Sequence, residues 1–199
     1  MTKIRRGRIT RIGAAVLGSA MLLGVGVSAA TAEDGAIDVG VDIEALPEGS
    51  LGLTIDPEAQ VGLTESDSTG DERQFVGSLP EVTVTDTRTA EDVPDGAYWY
   101  VVGAIDDFVG DAGQPDIVAA DSFGWSPRLV SGDESLAAPG DEVAPGEGFS
   151  EFELLASTWN SAEAGPGTWT AAADLTLRTP ATVEPGSYSS SLTLSLYED

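Results

Sequence analysis

Over residues 168–197 the chain alternates apolar and polar positions with a period of two. In TWTAAADLTLR, Trp169, Ala171, Ala173, Leu175 and Leu177 share one parity, and Thr168, Thr170, Asp174, Thr176 and Arg178 hold the other. In SYSSSLTLSLY, Tyr188, Leu192, Leu194 and Leu196 oppose Ser189, Ser191, Thr193 and Ser195. Side chains on a strand point alternately to its two faces, so each run predicts a strand with one apolar and one polar face. Thr179-Pro180 and Glu184-Pro185-Gly186 lie between the runs and supply residues that stop a ladder and turn the chain. The pattern predicts a closing hairpin whose leucine face needs a second layer to cover it.

Upstream the same pattern recurs in shorter pieces. Residues 36–43 (AIDVGVDI) and 50–55 (SLGLTI) predict two short strands, followed by a polar loop to residue 71. Residues 81–88 (EVTVTDTR) form a β-branched strand, and 97–105 (AYWYVVGAI) are apolar on both parities. The latter suits a strand covered on both faces or lying centrally in a sandwich. Residues 123–130 (FGWSPRLV) predict a strand broken by Pro127, which belongs at an edge or a bulge. Residues 131–148 form a loop, and 149–158 (FSEFELLAST) a strand, with a helical alternative at Glu151-Phe152-Glu153-Leu154-Leu155. No helix is expected after residue 32. About eight short strands at this spacing predict an all-β fold, an antiparallel β-sandwich of Ig-like or Greek-key style.

The first 32 residues break the pattern. Lys3, Arg5, Arg6, Arg8 and Arg11 precede an apolar run over 12–27, and Ala30-Thr31-Ala32 provides a small-residue cleavage site before Glu33. This is the layout of a secretory signal peptide, with Arg5-Arg6 leaving a twin-arginine route open beside the general one. The expected organisation is a signal peptide at 1–32, N-terminal strands and a flexible acidic loop at 33–74, and a sandwich domain at 75–199. The protein is expected to be secreted and extracellular.

Removal of the leader changes the charge balance. The chain carries 9 basic and 34 acidic residues, and five of the basic ones lie in the leader. Arg73, Arg88, Arg128 and Arg178 remain against all the acids, a formal charge of about −30, and no lysine is left. Nucleic acid and anionic lipid are excluded as partners, since both are bound through clustered Lys and Arg. There is no cysteine and no histidine, so disulfides, thiolate or imidazole metal sites and Ser-His or Cys-His nucleophiles are excluded as well. A carboxylate pair of the glycosidase kind is the catalytic chemistry left open.

Three groups of residues stand out as candidate sites. Asp106, Asp107, Asp111, Asp116 and Asp121 crowd one loop, an oxygen-rich segment that could take calcium or stay solvated; Asp106, Asp107 and Asp111 are the candidate ligands. Among the aromatic residues, Trp169 shares parity with Leu175 and Leu177 and is expected in the core. Tyr98 and Tyr100 share one strand face and Trp99 the other, so one of these groups faces away from the core unless the strand is doubly covered. Trp125 and Trp159 lie at strand ends and, with Tyr98 and Tyr100, are the candidate contact residues. Asp86 and Arg88 share parity with Val82 and Val84, which predicts a structural charge pair at the end of a buried face.

Several motifs together carry a family likeness. They are Leu79-Pro80 with VTVTDTR at 82–88, WYVVGAIDDF at 99–108, FGWSPRLV at 123–130, GTWTAAADLTLRTP at 167–180 and PGSYSSSLTLSL at 185–196. In this order they resemble the WxL-type surface domains of Gram-positive bacteria, in an actinobacterial-type variant. Val101 and Ala171 stand two residues after the motif tryptophans, where the family has leucine. The resemblance implies a β-sandwich attached non-covalently to the cell wall, with peptidoglycan or companion surface proteins as partners; no cofactor is expected beyond calcium at the aspartate loop. A Gram-positive wall is itself anionic, so direct charge attraction is ruled out. Aromatic and hydrogen-bond contacts, a companion protein or a bridging divalent cation are the routes that remain. The function class expected is a non-catalytic surface protein, with a secreted carbohydrate-active hydrolase using two acids as the alternative.

Overall fold

The computed structural model describes residues 49–157 and 160–199. The leader, the strand expected at 36–43 and Trp159 lie outside the described residues. Twelve strands and two single-turn helices follow in chain order: β1 (Leu51–Ile55), β2 (Thr64–Glu65), β3 (Glu72–Ser78), β4 (Val82–Asp86), β5 (Trp99–Ile105), β6 (Val109–Gly110), α1 (Ala119–Ser122), β7 (Phe123–Ser131), β8 (Ala137–Pro139), β9 (Glu151–Ser157), α2 (Ser161–Ala164), β10 (Gly167–Pro180), β11 (Tyr188–Ser189) and β12 (Leu192–Glu198). The fold is all-β, with antiparallel sheets packed face to face.

One sheet is built around β10. Its first part, residues 167–171, pairs with β4, and residues 174–180 pair with β3 along the same edge. β7 takes the opposite edge. β3 and β4 thus form one interrupted rail: Leu79 still donates to the Ala173 carbonyl at 2.8 Å, and Pro80, which has no N–H, interrupts the ladder. β1 and β2 pair with the outer edges of β4 and β3. The second sheet runs β12-β5-β9-β8, and β6 and β11 form a short ladder between flanking loops. β2, β3, β6 and β8 were not expected from the sequence: β2, β6 and β8 are too short to show alternation, and β3 begins inside the stretch expected as an acidic loop. The two helices are likewise single turns inside stretches read as loop or strand end.

The closing hairpin does not form. β10 belongs to the first sheet and β12 to the second, and the turn between them carries the chain across the sandwich. The two leucine faces therefore line one core from opposite sides, each serving as the other's cover. β5 is central in its sheet, paired on both edges, but its outer face stays partly exposed. Pro127 sits on an edge strand, as its missing donor requires. The alternative helix at Glu151-Phe152-Glu153-Leu154-Leu155 is a bulged strand. Val101 pairs with Leu155 and Val102 with Glu153, so Leu154 is the extra residue and both leucines turn inward.

The core joins the sheets through aromatic rings. Trp99 and Trp169, the motif tryptophans, approach from opposite sheets to 5.4 Å between ring centroids. Trp169 donates its Nε1–H to the Asp133 carbonyl at 3.3 Å. Phe108, Phe123, Phe149, Trp125 and Phe152 continue the ring chain. At one side of the sandwich Arg88 closes the seam. Its Nε and Nη2 donate to the two oxygens of Asp86 at 2.9 and 2.8 Å, and its Nη1 pairs with Glu198 on β12. The charge pair expected at the end of the buried face is there, with a third member from the other sheet.

Candidate functional site

The outer face of the second sheet follows from the register of β5. Trp99, Val101 and Gly103 point inward, so Tyr98, Tyr100, Val102 and Ala104 point out. Across the ladder from Tyr100 is Tyr197 of β12, and directly opposite residues of an antiparallel pair share a face. The three rings form a row: Tyr98 and Tyr100 stack with centroids 5.7 Å apart, and Tyr100 and Tyr197 at 5.6 Å. Tyr98 is 42% exposed and Tyr197 47% exposed. The Tyr100 hydroxyl donates to Asp199 Oδ2 at 3.0 Å, and donating that bond to a carboxylate raises the phenol pKa by favouring its protonated form. The main chains of Tyr98 and Asp199 exchange hydrogen bonds of 3.0 and 3.1 Å, which fixes the row to the end of β12. Glu153 and Glu151, across from Val102 and Ala104, add two exposed carboxylates to the face.

Of the expected contact residues, the structure brings Tyr98 and Tyr100 together on this face. Trp125 is corrected: it is 2% exposed, standing edge-on to Phe149 at 5.1 Å. It enters the core because Gly103 leaves room on the facing strand; a Cβ there would lie 2.5 Å from the indole ring. Trp159 lies outside the described residues. Tyr197 was missed. Its parity with Thr193 and Ser195, the polar side of β12, is the signal that marks it as outward-facing.

The aspartate loop does not form one cluster. β6 pairs with β11, leaving Asp106 bonded through its N–H to the Ser191 carbonyl and Asp111 to the Ser187 carbonyl, at opposite ends of that ladder. The Asp107 carboxylate accepts the Ala119 N–H at 2.8 Å at the start of α1. Among the described residues no group of three acids comes together in a way that could hold a metal ion.

Two apolar clefts open between the sheets and share Val61, Leu63, Phe108, Ser189 and Ser190 in their walls. The first, about 590 Å³, carries one acid, Asp56; the second, about 490 Å³, carries Glu184 beside Arg73. Elsewhere Glu65 is held down to about 2 by its hydrogen bond from Arg73 and a second from Ser68. Asp92 and Asp133 are lowered by hydrogen bonds from Thr89 and Ser135. No family model, curated protein or solved structure matches the chain. Among the described residues no helix is long and apolar enough to cross a membrane.

Proposed function

We propose that this is a secreted, non-catalytic surface protein that associates non-covalently with the cell wall, through peptidoglycan or a companion surface protein. The observation that carries the reading is the row Tyr98, Tyr100 and Tyr197 on the solvent side of the second sheet. The core already has its own aromatic filling, so packing gives no reason for rings outside it. Tyrosine offers a large, rigid, amphipathic contact surface and is enriched where proteins bind. The clefts favour contact over hydrolysis. Glycoside hydrolysis needs two carboxylates about 5–9.5 Å apart, and each cleft carries one acid.

The test mixes the purified secreted chain with isolated Gram-positive walls, sediments them and measures the bound fraction. The wild type is expected to pellet with the walls. Tyr98→Leu with Tyr197→Leu should weaken binding roughly tenfold or more, the usual scale for losing two interface tyrosines. Equal pelleting of both chains would refute the tyrosine face. Loss of binding in EDTA, restored by calcium, would move the contact to a cation bridge through acids such as Asp106, Asp107 and Asp111.

A further inference from the structure

The second sheet's outer face is aromatic and anionic, with no cation of its own. Strands β5, β8, β9 and β12 contain no lysine or arginine, whereas Glu151, Glu153 and Asp199 lie on this face or at its edge. The arginines of the described residues are all engaged elsewhere. Arg73 pairs with Glu65, Arg128 with Asp174 and Arg178 with Glu72 on the first sheet, and Arg88 is taken up by Asp86 and Glu198. No internal countercharge therefore reaches the tyrosines.

The charge of the face selects among occupants. Tyr98 and Tyr197 each stack on Tyr100, with centroids 5.7 and 5.6 Å away, and they are the more exposed rings of the three. A neutral pyranose would stack on those rings but leave the carboxylates of the face without a countercharge. A guanidinium or ammonium needs only a ring face within about 6 Å of its charge and carboxylates to accept its remaining donors. Both are present here.

From this we infer that the tyrosine face binds a basic protein segment, seating arginine or lysine side chains against Tyr98 and Tyr197 with Asp199 as the nearby acceptor and Glu151 and Glu153 further along the face. The inference rests on the reading of this face as the contact surface, and names its partner as a basic companion protein rather than a glycan.

The test uses the full secreted chain and a glycine-serine peptide carrying spaced arginines, with the citrulline peptide and a soluble N-acetylglucosamine oligosaccharide as controls. Binding is followed by titration calorimetry and by the NMR signals of the tyrosine rings. Far-UV circular dichroism confirms that each variant is folded. The arginine peptide should bind and shift the tyrosine signals, and the citrulline peptide should not. Tyr98→Leu with Tyr197→Leu should weaken the arginine peptide about tenfold at unchanged net charge, while the corresponding Phe variant keeps its affinity, because the ring face makes the contact. Equal affinity for the Leu variant and wild type would mean that bulk negative charge holds the peptide, and overturns the inference. Tyrosine shifts with the oligosaccharide and none with the peptide would overturn it in favour of a glycan, leaving the face itself intact. The proposed function fails separately, if the Leu variant sediments with walls as well as wild type does.

Discussion

Arg88 meets carboxylates from both sheets, and its guanidinium is 10% exposed beside an Asp86 side chain that is 1% exposed. Hydrogen bonds from Arg88 to Asp86, and after them to Glu198, raise the arginine pKa above its already high value. A raised pKa stabilises the fold at every pH below the unfolded value, so the seam keeps its cation through the whole accessible range. Removing it is a different matter. Arg88→Ala leaves Asp86 buried and unpaired, and should cost about 3–5 kcal/mol, while Asp86→Ala with Arg88→Ala should cost clearly less because the stranded charge is gone. Urea unfolding of both single variants and the double variant measures the difference, and a double loss equal to the sum of the single losses would show that the pair is not coupled. Glu65 gives a second residue-scale check. Its pKa near 2 depends chiefly on Arg73 and then on Ser68, so Arg73→Ala should raise it toward the ordinary carboxylate range, read by NMR titration. Because the folded value is depressed, whatever this pair contributes is present above the unfolded value and fades as pH falls toward 2. Single residues also mark where the sequence stopped being legible. Asp86 and Arg88 could be paired from parity alone, but Glu198, 110 positions away, could not. Trp125 looked like a strand-end contact because the space that receives it belongs to Gly103 on another strand.

At the scale of elements, alternation identified β1, β4, β5, β7, β9, β10 and β12 and the core-facing side of β4, β10 and β12, while leaving the side of β5 open and Trp125 of β7 on the outside. It could not say which sheet each belongs to. β10 and β12 illustrate the reason: an apolar face turned to the core looks the same whether the partner is hydrogen-bonded alongside or packed opposite. The same ambiguity hid the tyrosine row, since Tyr100 and Tyr197 become neighbours only through the β5–β12 register. β10 carries the largest structural role, serving β3, β4 and β7 at once and burying Trp169, Leu175 and Leu177. Burying those three side chains contributes on the order of 8 kcal/mol gross, comparable with the whole net stability of a domain. A chain ending at Gly167 should therefore show no cooperative thermal transition by far-UV circular dichroism. A sharp melt in that truncated chain would refute the central place given to β10.

For the molecule as a whole, the charge and the fold divide the work. Acids dominate the charge, while the arginines of the described residues are taken up in pairing. The second sheet is left with an uncompensated aromatic face, and its position could be foreseen only in part, from Tyr98 and Tyr100. The way β10 gathers its partners also has a consequence in time. The Thr83 and Thr170 hydroxyls lie 3.2 Å apart across 87 residues of chain, and Tyr100 reaches Asp199 across 99. Contacts of such range must wait for loop closure, and sandwiches dominated by them fold in milliseconds to seconds rather than microseconds. A nascent chain that has not yet produced residues 167–180 lacks the strand that joins β3, β4 and β7, so the first sheet can close only after most of the chain has been made.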